Sequence, residues 1–177
     1  GNNVSPDVYK NLVETINKNL GKMHRYVKLR KKCLGYDDLH MYDIYTPMIP
    51  DMAKEIPFEE AKETVLKALA PLGEDYVAKV KEGFENRWID FMPYEGKSGG
   101  AFCAGLDNHN QSRVLTNFTG SLGDVQTLAH ELGHAYHGRV VLNNAPLNRD
   151  YPMPLAETAS ILCQTLMAKK MINDLTD

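Results

Sequence analysis

The stretch TLAHELGHAYHG, residues 127–138, is the feature that most restricts what this chain can fold into. It carries His130, Glu131 and His134 in the pattern H-E-x-x-H. Residues four positions apart lie one turn apart on the same face of a helix, so both imidazoles can reach one ion. Zinc accepts neutral imidazole nitrogens, and Glu131 is placed to hold a water molecule beside the ion rather than the ion itself. The pattern therefore predicts a zinc-binding helix with a carboxylate base.

An ordinary helix that happens to carry several histidines is the alternative, because the pattern is short. Its context favours a metal site. Ser121 and Asp124 have the spacing of a capping box, which predicts a helix from there to about Val141. Gly133 in the middle of that helix costs about 1 kcal/mol relative to alanine. We therefore expect a strand or a substrate to approach the helix closely at this glycine.

A catalytic zinc site needs a third protein ligand, and Glu157 is the candidate. It lies 23 residues beyond His134, at the start of a helix predicted from about Leu155 to Asn173, which allows a loop and an antiparallel return. A first-turn glutamate that interacts with the helix dipole is the alternative, but beside HELGH we favour the ligand. His137 stays open as a fourth ligand, as a residue that orients a ligand, or as a packed or solvent-facing histidine.

Helical periodicity covers most of the remaining sequence, and short alternating runs indicate a small sheet. Ser5 and Gly35 are typical of the two ends of a first helix. Helices are predicted from Pro6 to about Cys33, from Phe58 to Ala70 and from about Glu74 to Asp90, strands at 113–118 and 100–103, and an extended connector at 39–50. The sequence therefore predicts a mainly α-helical protein with a small β-sheet.

Composition excludes several classes of partner. The net charge of −3 and the pI near 6.1 favour neither nucleic acid nor an acidic membrane surface. No run of eighteen apolar residues occurs, so no membrane span is expected. The three cysteines are far apart and odd in number, which favours free thiols in a reducing cytosol over a disulfide framework. We therefore expect a cytoplasmic protein that binds neither nucleic acid nor membrane.

Four segments in order, GKSGGAFC, RVLTNFTG, DVQTLAHELGHAYHG and YPMPLAETAS, resemble the oligoendopeptidase F branch of the thimet oligopeptidase-like zinc peptidases. The resemblance implies a zincin-like catalytic core, mostly helical, with a small sheet and a deep channel that admits short peptides. It also implies that one zinc ion is held by His130, His134 and Glu157, with Glu131 as the general base.

The resemblance further implies a substrate-binding role for Gly99 and Gly100. The glycine-rich segment around them would form an edge strand that lines the channel. An extended peptide could add its backbone to that edge, so these two glycines are the predicted substrate-binding residues.

Members of the family are several times longer than the 177 residues here. We therefore expect residues 1–92 to be a helical segment leading into the catalytic domain, and residues 93–177 to be the zinc-binding part of that domain, truncated at its C-terminus. Without the remainder of the parent chain, helices should expose apolar surface, which favours self-association of the fragment. Downstream groups that stabilise the oxyanion would also be missing, so the isolated piece is expected to be impaired.

Together, these features predict a zinc-dependent endopeptidase for short peptides, in which zinc polarises the scissile carbonyl and Glu131 takes a proton from the attacking water. The alternative is a non-catalytic metal-binding or helical interaction module that uses HELGH structurally. Structural zinc sites normally have four protein ligands, often cysteines, and no cysteine lies near this motif in the sequence. His137 as a fourth ligand would favour the alternative.

Overall fold

The computed structural model describes residues 2–48 and 55–174. Contacts within the chain divide it into two compact units, Asn2–Ala53 and Lys54–Asp177. Helices dominate both units and the second also contains a three-stranded sheet, so the prediction of a mainly α-helical fold with a small sheet is confirmed. None of the helices in the described part is long and apolar enough to cross a membrane.

One long helix, α1 (Pro6–Leu34), forms most of the first unit. It begins and ends as predicted. The Ser5 hydroxyl accepts a hydrogen bond from the amide of Asp7, and Gly35 closes the helix with a left-handed φ of 68°. The apolar stripe of this helix is between 40% and 59% exposed, at Val8, Leu12, Ile16, Leu20, Met23 and Val27.

The segment after α1 is less extended than predicted. Met41–Asp43 form a short 3-10 turn within the predicted connector 39–50, of which residues 49 and 50 lie outside the described residues. The buried Arg30 guanidinium donates hydrogen bonds to the carbonyl oxygens of Asp43 and Thr46. These bonds hold the segment against α1. The local sequence does not reveal them, because Arg30 is 13 and 16 residues away from its two partners.

The second unit begins with the helices α2 (Phe58–Leu69) and α3 (Glu74–Glu85). α2 matches its prediction to within one residue, but the prediction that α3 continues to Asp90 is wrong. Arg87 adopts a left-handed φ of 57°, which ends the helical path, and Ile89–Asp90 form the strand β1. The partner of β1 is a strand much later in the chain, so helical periodicity alone could not show it.

The sheet has the order β1-β3-β2, with β2 (Phe102–Leu106) at an edge and β3 (Gln111–Leu115) in the centre. β3 pairs antiparallel with β2 and parallel with β1. The predicted strands at 100–103 and 113–118 correspond to β2 and β3, although β2 begins at Phe102 and β3 ends at Leu115 rather than at residue 118. The amide of Phe118 still donates to the carbonyl of Phe91 at 2.8 Å, so the paired region extends past the regular strand.

The prediction that the segment around Gly99 and Gly100 forms the edge strand is wrong in its position. Both glycines lie in a bend ahead of β2, and the edge strand begins at Phe102. Gly100 has a φ of 78°, which is incompatible with a strand and favours glycine. The Asn117 side-chain amide donates to the carbonyls of Ser98 and Gly100 at 2.9 and 3.0 Å, which holds the bend in place.

The helix α4 (Leu122–Val141) carries the HELGH sequence. The predicted capping box is present. The Ser121 hydroxyl accepts from the amide of Asp124, and the Asp124 carboxylate accepts from the amide of Ser121. The predicted end of this helix near residue 141 is confirmed.

The last helix, α5 (Met153–Asp174), packs antiparallel to α4. The antiparallel direction follows from contacts at two levels, because Gln126 meets Met171 while His134 meets Glu157. The centre of the core is fully buried and apolar, with Val65, Leu69, Leu128, Leu132 and Met167. This core fixes the HELGH turns of α4 against the first turns of α5.

Candidate metal centre

Three side chains from α4 and α5 converge on one point. Nε2 of His130 lies 3.3 Å from Oε2 of Glu157, and Nε2 of His134 lies 3.5 Å from the same oxygen. One ligand atom from each residue lies within 4.8 Å of the other two. The structure thus brings together all three of the side chains that the sequence indicated as ligands.

Gly133 allows the two helices to come this close. A Cβ atom at this position would lie 2.8 Å from the carbonyl oxygen of Ala159 and 2.8 Å from Cα of Ser160. Such distances leave no room for a side chain. A close approach at Gly133 was predicted, but the prediction of its partner is wrong: the backbone of a neighbouring helix makes it, not a strand or a substrate.

Ser160 holds the carboxylate of Glu157. Its side chain is fully buried, and the hydroxyl donates to Oε2 of Glu157 at 2.6 Å. This hydrogen bond lowers the pKa of Glu157 below its ordinary value, and the neighbouring imidazoles of His134 and His130 lower it further. The carboxylate is therefore ionised at neutral pH and fixed in direction.

His130 has a second polar contact on the far side of its ring. Its Nδ1 atom lies 3.1 Å from Oε1 of Gln164 on α5. Gln164 was not among the residues predicted for the site from the sequence. The available signal was its spacing, because residues 157, 160 and 164 fall on one face of α5 and Glu157 was already predicted to be a ligand.

Glu131 lies beside these three side chains in the same cleft. The residue is only 5% exposed, and its Oε2 atom has no hydrogen-bond partner among the described residues. Burial raises the pKa of Glu131 above its ordinary value, the charge of His130 opposes this rise, and Glu157 adds to it. Because an unpaired buried carboxylate oxygen is costly, this atom is suited to accept a proton or to bind water.

An open cleft of about 610 Å³ gives access to these side chains. Phe102 and Cys103 of β2 line this cleft, and so do His130 and His134 of α4. This volume is in the range of cavities that bind small ligands. Gly99 and Gly100 do not line the described cleft, and Gly100 borders a separate cavity of about 310 Å³.

His137 is not part of the ligand group. Its ring packs against Tyr151 with the centroids 4.6 Å apart, and its buried Nδ1 atom has no hydrogen-bond partner among the described residues. Burial lowers the pKa of His137, so its neutral form is favoured. Among the described residues, three side chains rather than four therefore form the group.

The donor set fits a zinc ion. Two imidazole nitrogens and one carboxylate oxygen form a known combination for catalytic zinc, which keeps a further position for water or substrate. Burial lowers the pKa of His134, and the neutral imidazole is the form that binds metal. Across residues 2–48 and 55–174, no second group of three such side chains is brought together.

The fold and the site define a helical protein of the H-E-x-x-H class, with two histidines on one helix and the glutamate on the next. The family model for Peptidase family M3 matches residues 2–177. The chain belongs to Peptidase family M3, and the likeness to oligoendopeptidase F found in the sequence is confirmed by the relatives below.

The curated relatives match nearly the whole chain. Oligopeptidase PepF of Bacillus subtilis (strain 168) is 41% identical over 177 residues, which cover 99% of this chain and 26% of that protein. An oligoendopeptidase F homolog of Lactococcus lactis subsp. lactis (strain IL1403) is 39% identical over 178 residues, which cover 99% of this chain and 29% of that protein. This chain therefore spans less than a third of the length of these relatives.

Solved structures show the same fold. A protein from Chlamydophila abortus is 34% identical with a TM-score of 0.78, and the match covers 98% of this chain and 29% of that one. PZ peptidase A matches with a TM-score of 0.82 at 19% identity, and the match covers 97% of this chain and 31% of that one. The second likeness concerns the fold alone.

Proposed function

We propose that this chain forms the zinc-binding and proton-transferring part of an endopeptidase that acts on short peptides. The observation that carries the proposal is the convergence of His130, His134 and Glu157 beside the buried Glu131 in one open cleft. The names of the relatives, oligopeptidase and oligoendopeptidase F, support peptides as the class of substrate.

His130, His134 and Glu157 would hold one zinc ion through two Nε2 atoms and a carboxylate oxygen. When bound, zinc supplies Lewis-acid chemistry, which polarises a carbonyl group and makes water more acidic. A group of three protein ligands favours a catalytic role over the alternative of a non-catalytic metal-binding or helical interaction module, because structural zinc sites are closed by four.

Glu131 would act as the general base. Its unpaired Oε2 atom can accept a proton from the water molecule that attacks the carbonyl carbon of the peptide. The pKa of Glu131 is raised, so it lies closer to neutral pH than the pKa of an ordinary carboxylate. A pKa nearer to the operating pH suits a general base. The same proton then passes from Glu131 to the amine nitrogen as the C–N bond breaks, so the carboxylate is restored.

The edge of the sheet offers a place for the substrate backbone. β2 pairs with β3 on one side only, so an extended peptide can add its hydrogen-bonding groups to the other side. Gly99 and Gly100 are proposed to bind substrate from the bend that leads into β2, because the lack of side chains lets a peptide backbone approach.

Three broader proposals accompany this one. Residues 93–177 would form the zinc-binding part and residues 1–92 the helical segment that leads into it.

The three cysteines are free thiols, which supports a reducing compartment such as the cytoplasm. The exposed apolar stripe of α1 supports self-association or cover by another part of the protein. The net charge of −3 favours neither nucleic acid nor an acidic membrane surface as a partner.

The test of the general base is Glu131→Gln in the complete protein, which removes the proton acceptor while preserving side-chain size. We expect zinc binding to persist and cleavage of a short fluorogenic peptide to fall by about 10²-fold or more. Glu85→Gln, which changes an exposed glutamate on α3, is the control and should cleave normally. A zinc-loaded Glu131→Gln protein that cleaves at the normal rate would show that Glu131 is not the base.

A further inference from the structure

We propose that Gln164 is a positioning residue that fixes the tautomer and the orientation of His130, so that Nε2 of His130 is free to bind the metal. The inference rests on the proposed zinc site. Gln164 lies two helical turns beyond Glu157 on α5. Its side chain acts through His130 rather than on the substrate.

The spacing on α5 places three polar groups in a row against α4. Glu157, Ser160 and Gln164 stand at i, i+3 and i+7, which is one face of a helix. Glu157 faces the Nε2 atoms of both histidines, Ser160 donates to Glu157, and Gln164 contacts Nδ1 of His130. The row therefore contacts His130 on both of its ring nitrogens.

With Oε1 of Gln164 facing Nδ1, the hydrogen bond favours one form of the His130 ring. A neutral imidazole carries one N–H and one lone pair on its two nitrogens. When Nδ1–H of His130 donates to Oε1 of Gln164 across 3.1 Å, the lone pair is on Nε2, which faces Glu157. The opposite tautomer would point an N–H at the metal position. An acceptor beside Nδ1 is the usual way in which proteins orient a histidine ligand.

The side-chain amide of Gln164 differs from a carboxylate in its hydrogen-bonding capacity. A carboxylate can only accept a hydrogen bond, whereas a glutamine can also present its NH₂ group after a flip of the amide. A glutamate at position 164 would therefore preserve the proposed tautomer, and an apolar residue of similar size would remove the preference. This difference separates a positioning role from simple packing.

The test compares Gln164→Leu and Gln164→Glu with the unchanged chain by zinc affinity, measured in competition with a chelator, and by thermal unfolding. We expect Gln164→Leu to bind zinc about 10- to 100-fold more weakly and Gln164→Glu to bind with an affinity close to that of the unchanged chain. Gln126→Leu is the matched control, because Gln126 also reaches from α4 to α5 but contacts Met171 away from the ligands. It should leave zinc affinity unchanged.

Proton NMR of the Nδ1–H of His130 in the zinc-loaded chain gives a readout of its hydrogen bond that packing alone would not move. We expect this proton to resonate further downfield in the unchanged chain and in Gln164→Glu than in Gln164→Leu, and an unchanged resonance in Gln164→Leu would overturn the inference. A folded Gln164→Leu chain that binds zinc as tightly as the unchanged chain would also overturn it. If leucine prevents folding, Gln164→Met supplies the apolar variant. A folded, unchanged chain that binds no zinc would instead overturn the proposed zinc site itself, and this inference with it.

Discussion

Gly133 of α4 and Ser160 of α5 lie so close together that a Cβ atom on Gly133 would be 2.8 Å from the Cα atom of Ser160. The contact lies beside the candidate ligands, because His134 follows Gly133 in the chain and Ser160 donates a hydrogen bond to Glu157. The packing of the two helices and the convergence of the candidate ligands therefore depend on the same backbone contact.

Gly133→Ala should destabilise the protein although alanine is the better helix former. The gain in helix propensity is about 1 kcal/mol, whereas overpacking a close helix contact costs about 1–3 kcal/mol. We expect a net loss of about 1 kcal/mol in the free energy of unfolding, measured with urea, together with weaker zinc binding. Gly138→Ala in the same helix is the control, because a Cβ there meets nothing within 4 Å. Equal effects of the two substitutions would contradict the contact.

Asp124 should make the stability of the protein depend on pH on the acid side. Burial alone would raise the pKa of Asp124, but hydrogen bonds from Thr119 and Ser121 outweigh burial and lower it below the ordinary value. Because the folded pKa is lower than the unfolded pKa, the stabilisation is complete above about pH 4 and is lost as the pH falls through the folded pKa.

The measurement is urea unfolding of Asp124→Ala and of the unchanged protein between pH 7 and pH 3. We expect the substitution to cost about 0.5–2 kcal/mol at pH 7, the usual range for a helix cap, and less at pH 3. Asp75→Ala is the control, since the exposed Asp75 side chain forms an ion pair with Lys79 in the first turn of α3. Its effect should be small, because exposed ion pairs contribute about 1 kcal/mol or less. A loss for Asp124→Ala that does not shrink with acid would argue against the hydrogen-bonded carboxylate.

The three thiols should react with alkylating reagents at very different rates. Cys33 is exposed, whereas Cys163 is 1% exposed and burial raises its pKa. Burial also raises the pKa of Cys103 to about 11, so little thiolate forms there at pH 8. Iodoacetamide labelling followed by peptide mass spectrometry should find Cys33 modified first. In concentrated urea the three rates should become similar, and rapid labelling of Cys163 in the folded protein would contradict its burial.

Signals that lie within a few residues allowed good predictions. Ser5, Gly35 and the Ser121–Asp124 pair mark helix ends through their own hydrogen bonds, and each was identified from the sequence. The juxtaposition of the candidate ligands His130 and His134 requires only helical spacing. Features of this kind depend on local backbone geometry, which the sequence carries directly.

Signals that depend on distant partners were missed or misplaced. The strand Ile89–Asp90 exists because it pairs with β3, and its residues otherwise continue a helical pattern. Gly133 predicted that another part of the structure packs closely there, but only the fold shows that this part is α5. Gln164 was overlooked because its partner, His130, is 34 residues away in the chain. Long-range pairing of this kind is decided by tertiary packing rather than by local preference.

Zinc binding by the purified chain tests the central claim most directly. After metal supplementation and removal of excess, we expect about one zinc per chain, with binding lost in His134→Ala and retained in His109→Ala, which lies outside the ligand group. A folded chain that retains no zinc, or that binds it equally well without His134, would contradict the site formed by His130, His134 and Glu157.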